Sequence, residues 1–476
     1  MQSLVPTVIE PGSFDPSNHY YPRVQNAHLH PLLRYFFALS NERIAERFSY
    51  LHPEANPSAV HAVLNYEAKF FRWAGADLFH TATPGGVRRN IVVEVNSSPS
   101  GQKSMPLRFE EDELGGYRTL IEGAFLPYLK RRSLPRGSLA VCFDKNQMEA
   151  SAYAATLAEL SGEEVYLLKI QHNLHASQCR VRDGVLEIFD GQTWIQIRAM
   201  VRYITQQPWT VLPPVTKTFI FNPVLICLAG GRNKLVAAKA YDLFNAQHTD
   251  DGLKIQVPET IWDVAKAEIP LWFERMGYAL VVKNPYSNAG QGVYTITNED
   301  ELKAFMTADH PYEKFIVQAL VGHPSWASRT SDGQFFHVGT VPNTKGSIYV
   351  YDLRFMVGNG PKGFFPTTLN ARRAKKKLEP QLRGESWDVL GTNLSFKDDL
   401  GQWSTDQSRL LLMDSRDFNQ LGIGIDDLTE AYLQTAMSVK AIDQMAQRCL
   451  TKKGVFRPKF FSTINPDNAL SREIIQ

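Results

Sequence analysis

The chain has 476 residues, 43% hydrophobic and 21% charged; this is a folded globular composition that excludes a largely disordered chain and implies two or three packed subdomains. Its 51 basic and 49 acidic residues leave a net charge of +2, so the balance gives no reason to expect nucleic acid or a membrane as the main partner. Four widely spaced cysteines (Cys142, Cys179, Cys227, Cys449) form no C-x-x-C pair, no apolar run reaches about 18 residues, and the N-terminal stretch lacks the apolar core of a signal peptide; the expected location is the reducing cytoplasm.

Residues 1 to about 25 are polar and Pro-rich and read as a loosely ordered arm. Leu32, Leu33, Phe36, Phe37, Leu39 and Ile44 recur at helical spacing and predict a helix over 31–48; another is predicted over 57–73, with Pro57 near its start. Residues 76–79 and 91–96 read as strands joined through the turn-rich Thr83-Pro84-Gly85-Gly86, and a helix follows over 111–129. After a boundary at 131–137, the order strand (139–143), helix (149–161), strand (164–170) predicts a parallel sheet in a small doubly wound unit. A hairpin over 185–197 and a short strand over 200–204 complete it. Farther along, helices are predicted over 234–244, 261–276 and 299–306, and strands over 279–283, 292–296, 315–318, 334–341 and 348–357. A long helix over 426–449 precedes a polar tail. The expectation is an α/β (α+β) chain in four segments, 1–130, 131–230, 231–320 and 321–476.

The strongest local signal is Val281-Val282-Lys283-Asn284-Pro285-Tyr286-Ser287-Asn288-Ala289-Gly290-Gln291-Gly292-Val293-Tyr294. A lysine leaves a buried strand, a loop of small residues follows, and the chain re-enters a strand. Small residues let backbone N–H groups approach phosphate oxygens, and lysine adds a compact positive charge. No G-K-[ST] precedes a helix, so this is not a Walker loop. Upstream, Lys234 opens a helix, and downstream Gln318-Ala319-Leu320 carries a strand into a linker that could bond an adenine edge through its backbone.

Earlier in the chain, Asp77 and the pair Glu94-x-Asn96 offer three oxygen ligands of the kind magnesium prefers, and residues 94 and 96 share one strand face. Asn96 runs into Ser97-Ser98-Pro99-Ser100-Gly101, a turn rich in donors suited to a carboxylate. Asp352 and Arg354 share a face of a later strand, and Arg372 and Arg373 follow on the next; which of those two points inward is open at this stage. Asp414, Asp417 and Asn419 form a competing acidic box. Arg202 and Lys103 are candidates for an anionic substrate group, and His323 for an amine. The spacings His28-x-His30 and His172-x-x-His175 lack a third ligand for zinc.

This order of lysine (Lys234), the turn Val257-Pro258-Glu259-Thr260, second lysine (Lys283), small-residue loop and hinge resembles the ATP-grasp superfamily. The E-x-N box, its hydroxyl-rich turn and the D-x-R element resemble that superfamily's metal, substrate and phosphate elements. The box precedes both lysines, as in the circularly permuted group that includes glutathionylspermidine synthetases and eukaryotic glutathione synthetases. The resemblance covers roughly residues 70–375 and implies a circularly permuted ATP-grasp fold with a pre-ATP-grasp subdomain at 131–230. It further implies Lys234 and Lys283 on the phosphates of ATP, Ser287, Asn288, Ala289, Gly290, Gln291 and Gly292 closing over them, and Gln318, Ala319 and Leu320 lining the adenine pocket. Mg2+ falls to Asp77, Glu94 and Asn96, and substrate to Ser97, Ser98, Ser100, Gly101, Arg202, Arg372 and Arg373. Two departures stand out: Ala319 or a neighbour replaces a hinge Glu, and Ser287 or Asn288 replaces a loop Glu that binds metal, which shifts charge onto Asp77. The expected activity is an ADP-forming ligation through an acyl phosphate, with Arg354 stabilising the oxyanion, of a small carboxylate and an amine, one an amino acid or small peptide. The rivals are a phosphotransferase and a non-catalytic ATP-binding regulator, and a homodimer is an analogy from the same group.

Overall fold

The structure is a computed structural model that describes residues 5–467 and 470, except 83–86, 131–132, 172–174, 206–208, 210–211, 287–289, 291, 322–326, 331–332, 337–338, 380–381, 383 and 398–402. It is a mixed α/β molecule with three principal sheets.

The first sheet has a parallel heart of strands Val165–Lys169, Ser138–Phe143, Trp194–Tyr203 and Phe219–Phe221, bordered by antiparallel strands that include Thr7–Ile9. Residues 194–203 form one continuous strand where a hairpin arm and a separate strand were expected. Helix Gln147–Ser161 packs on this sheet through its alanine-rich faces.

The second sheet is antiparallel, in the order Thr260–Ala265, Lys314–Ala319, Leu280–Lys283, Val293–Ile296. Helices Ile269–Arg275 and Glu299–Thr307 close a small core with it. Here the expected helix over 261–276 is corrected. The β-branched and aromatic Ile261, Trp262 and Val264 take the strand pairing offered by residues 314–318, and the helix starts only where Pro270 fits a first turn.

The third sheet is the centre of the molecule. Its antiparallel order runs Leu410–Leu411, Gly363–Arg373, Ile348–Gly360, Trp73–Ala82, Arg88–Ser97, with Thr340–Pro342 also pairing the middle strand. A hairpin from the first hundred residues thus lies beside strands from beyond residue 348. Helix Ile425–Arg448 covers the back of this sheet, together with Asn41–Leu51 and Pro57–Leu64. The helix expected over 31–48 divides into Pro31–Ala38 and Asn41–Leu51 because Ser40 caps a new start, accepting from the Arg43 N–H at 3.4 Å. The 57–73 helix ends at Leu64 so that Trp73 can begin the strand. The expected polar tail contains a helix, Pro458–Ile464.

One carboxylate ties the long helix to this entry into the sheet. Asp443, fully buried, accepts from the Phe70 and Phe71 N–H groups (each 2.8 Å), the Lys69 N–H (3.1 Å) and the Tyr66 hydroxyl (2.6 Å). Asp443→Asn halves that acceptor capacity inside a buried network, and we expect a loss of about 1–3 kcal/mol in urea denaturation. An unchanged midpoint and slope would show that the loop holds itself.

Candidate active site

Register across the central sheet decides which side chains meet. Glu94 lies opposite Asp77, Asp77 opposite Arg354, and Arg354 opposite Asn370, a row running straight across four strands. Two residues along, Asp352 pairs with Arg372. Because alternate side chains share a face, Asn96 and Arg372 point the same way as the row, and Arg373 turns away to stack on Tyr349, 4.5 Å from its ring centre. That settles the inward arginine as Arg372.

Arg354 donates to both oxygens of Asp77, at 2.7 and 2.8 Å, and its third nitrogen reaches the Ser100 carbonyl at 3.2 Å. Arg372 bridges Asp352 and Asp77, lying 3.0 Å from the latter. Burial pushes the Asp77 carboxyl up, but the two guanidiniums outweigh it and hold the group well below its ordinary range. Asp77 was expected as a metal ligand; in the structure both its oxygens face arginine side chains, Arg354 and Arg372.

Glu94 and Asn96 remain on the open face. The Asn96 amide donates to Glu94 Oε1 at 3.0 Å, and its oxygen accepts from Arg232 at 3.2 Å. The two lysines arrive from the opposite wall. Lys234 Nζ is 3.8 Å from Glu94 Oε2, and Lys283 Nζ donates to the Val93 carbonyl at 3.3 Å, where a bulge breaks the hairpin register. Lys234 opens helix Lys234–Gln247 beneath its cap Asn233, and Lys283 ends strand Leu280–Lys283. Burial pushes the Lys283 ammonium down to about 8, and it lowers Lys234 as well, with Glu94 opposing. Burial also raises Glu94, yet Lys234 and Lys283 bring its carboxyl below the ordinary value.

Above this row, the turn after Asn96 folds back over Gly75, whose Cα faces Pro99 so closely that an added Cβ would sit 2.8 Å from it. Ser98 takes a left-handed backbone (φ 53°) there and donates to the Arg202 carbonyl at 2.7 Å. The donors of this turn meet a carboxylate of the protein itself. Glu149, fully buried on helix Gln147–Ser161, accepts from the Ser100 hydroxyl (2.6 Å), the Gly101 N–H (2.9 Å), the Gln102 N–H (2.8 Å) and the Tyr203 hydroxyl (3.0 Å), with Lys103 at 3.7 Å.

Ser97, Gly101, Arg202 and Lys103 all have partners within the protein. Ser97 lies 3.6 Å from the Cys227 sulfur; Arg202, wholly buried, donates to that sulfur at 3.3 Å; Lys103 is buried against Glu149 and Tyr21. The competing acidic box is likewise local: Asp414 caps helix Ser415–Gln420, Asp417 accepts the Leu412 N–H, and Asn419 contacts His30. Ser287, Asn288, Ala289, Gln291 and His323 lie outside the described residues.

A cleft lies between the central sheet and the lysine sheet. One end is apolar, where Phe79, Leu320, Val350 and Leu390 pack together, and it takes in Gln318 and Ala319. Gln318 is fixed by donating to Thr260 Oγ1 at 2.9 Å, and the Ala319 N–H is used by the Glu259 carbonyl at 2.9 Å. The other end holds Asp77, Glu94, Asn96, Asp352, Arg354, Arg372 and Lys283, with Ser98 and Ser100, and it extends to Lys145, Asn146, Thr205 and Arg232. Lys234 lines a smaller cavity that adjoins it behind Glu94. Sequence reasoning missed Arg232, although it lies two residues before Lys234, and Lys145, which burial pushes down to about 8. It also missed the wall from Trp387 to Asn393, a short helix and turn without periodic signal against which Gly290 packs.

Lys145, Arg232, Lys283, Arg354 and Arg372 against Asp77, Glu94 and Asp352 make five cations to three carboxylates among the described lining residues, an excess suited to a polyanion. Glu94 and Asn96 are hard oxygen donors two residues apart, which fits magnesium. Among the described residues no three His, Cys, Asp or Glu cluster as a metal site, so such an ion would take further ligands from phosphate or water.

No family model matches this chain, and neither does any curated protein. Among solved structures it is similar to ATP-grasp ligases and their relatives. A glutathione synthetase-like effector from Globodera pallida, in its apo form, shares 14% identity over 78% of this chain and 87% of that one, with a TM-score of 0.38. D-alanyl-alanine synthetase A of Vibrio cholerae shares 11% over 63% and 98%, at 0.31. A RimK domain ATP-grasp protein of Sphaerobacter thermophilus shares 13% over 49% and 90%, also at 0.31. At these TM-scores the likeness is partial, and what the cleft does follows from its own residues.

Proposed function

We propose that this chain is an ATP-dependent carboxylate–amine ligase of circularly permuted ATP-grasp type, joining an amino acid or small peptide to its partner through an acyl phosphate. The observation that carries this is the meeting of Lys234 and Lys283 with the Glu94 hairpin, across a cleft that is apolar at one end and cationic at the other. The apolar end takes the base, against Ala319 and Leu320. Lys283, seconded by Lys234 from behind Glu94, offsets phosphate charge. Glu94 and Asn96 would hold magnesium, which supplies neutralisation of the phosphates when bound.

The substrate carboxylate attacks the γ-phosphorus, and ADP leaves. The amine then adds to the acyl carbon, phosphate departs, and the amine's proton passes to solvent. Arg354, aimed by Asp77 and set beside the Ser100 carbonyl, stabilises charge on the acyl oxygen, and Arg372 does the same for the departing phosphate. The carboxylate is received at the cationic end, where Lys145 lines the cleft beside Ser98 and Ser100. We place the reaction in the cytoplasm, in keeping with four buried, free cysteines; among the described residues no helix is long and apolar enough to cross a membrane.

Phosphate release should require a carboxylate and an amine together, with the amide visible by mass. ADP formation with a hydroxyl acceptor would make the protein a kinase, and nucleotide binding without turnover would make it a regulator. Glu94→Gln should raise the magnesium concentration for half-maximal rate on the order of 10–100-fold, and an unchanged magnesium requirement would remove Glu94 from the metal site.

A further inference from the structure

The chain's last described turn reaches the lysines from beneath. After helix Ile425–Arg448 the backbone reverses through a bridge between Leu450 and Phe456 and forms helix Pro458–Ile464, anchored in the core by Phe461. The next residue, Asn465, is fully buried. Its side-chain oxygen accepts two hydrogen bonds from different parts of the molecule, the Asn233 amide at 2.9 Å and the Tyr286 hydroxyl at 2.9 Å.

Each donor stands beside a lysine. Asn233 caps helix Lys234–Gln247, so it fixes where Lys234 begins; Tyr286 is three residues after Lys283, at the root of the small-residue loop. The main chains of these segments also meet, the Lys234 N–H donating to the Pro285 carbonyl at 2.9 Å. One more tie comes from the same tail, where the Ile464 carbonyl accepts from Lys239 Nζ at 2.9 Å. The Tyr286 ring is held edge-on by Trp209 and Tyr312, at 5.8 and 5.5 Å, so its hydroxyl has a fixed direction. A single oxygen receiving both donors sets the distance between two segments that the sequence separates widely.

We propose that Asn465 is a positioning residue, a latch through which the C-terminal segment sets the spacing of Lys234 and Lys283 and so tunes nucleotide affinity. This rests on the functional reading above. Asn465→Ala and Tyr286→Phe should each raise KM for ATP about tenfold, the energy of one good hydrogen bond, while KM for the acid and the amine stays put. The double variant should lose less than the two single losses summed, because both changes break the Tyr286–Asn465 bond, although Asn465 also holds Asn233 and Tyr286 also meets Asp467. Asn465→Asp, which keeps the acceptor, should return most of the loss. Hydrogen exchange without nucleotide reads the latch directly, and Asn465→Ala should speed exchange at 231–236 and 283–286 together. Exchange rising only within 458–467, or an unmoved KM for ATP, would overturn the proposal. A wild-type protein that binds no ATP would sink the functional reading, and the exchange arm would still decide the latch.

Discussion

Lys283→Met is expected to abolish most ligation while leaving the protein as stable as before or more so. Loss of a charge-stabilising group at a transferring phosphate should lower kcat about 10²–10³-fold. Stability moves the other way because the fold works against this ammonium. Its folded pKa, pushed down to about 8 by burial, lies below the ordinary 10.5, so between those values the unfolded chain binds more protons and stability rises with pH. Below pH 8 the full cost of burying the charge is present. Methionine removes it, and we expect a gain of about 1–3 kcal/mol at pH 7, reduced by the support that Lys283 lends Glu94. The margin should shrink to nothing as pH climbs toward 10.5. In the same window the wild-type protein should lose affinity for ATP above about pH 8, as the free ammonium gives up its proton. Phosphate-release kinetics and urea denaturation at matched pH values check both halves. A variant that keeps its rate, or that is destabilised at every pH, would show that Lys283 is a structural lysine.

Glu149→Ala carries the largest stability effect. Its carboxylate is where the 100–102 turn, Tyr203 and Lys103 converge, at the join between the parallel sheet and the central one. Alanine leaves two backbone N–H groups and a buried ammonium without their acceptor, and breaking such a pair costs about 3–5 kcal/mol. Glu149→Gln, which keeps an acceptor oxygen, should cost about 1–3 kcal/mol. Since the turn also carries Ser98 and follows Asn96, both variants should demand more magnesium than the wild type at a temperature where they remain folded. Denaturant titration with unaltered midpoints would mean that the turn is held by Arg232 and Gly75 instead.

The elements most legible in the sequence were those with a strong period or a chemical motif. The strand of Ile91, Val92, Val93 and Val95, the strand that ends at Lys283 and the alternation around Arg354 all declared themselves, because burial leaves a pattern within a few residues. Partnership did not declare itself. Asp77 has the same side chain whether it faces a cation or two guanidiniums, and only the register with Arg354 shows that it faces arginine. The turn of Ser97 to Gly101 looked ready for a carboxylate and found one inside the protein, on a helix 48 residues from Gly101. Arg202 read as a strand arginine fit for substrate, whereas the fold buries it on Cys227. Residues 261–276 misled through composition, since Trp272 and Phe273 do belong to a helix while Ile261 and Val264 answer to strand neighbours beyond residue 313.

The bond between Asp77 and Arg354 spans 277 positions. On the ribosome, at about 5–20 residues per second, the early acidic hairpin therefore waits some tens of seconds before the strand that seals its edge has been made. Through that interval its unpaired flank is open to other strands, and a chaperone that shields extended edges is the kind of helper this chain's birth calls for.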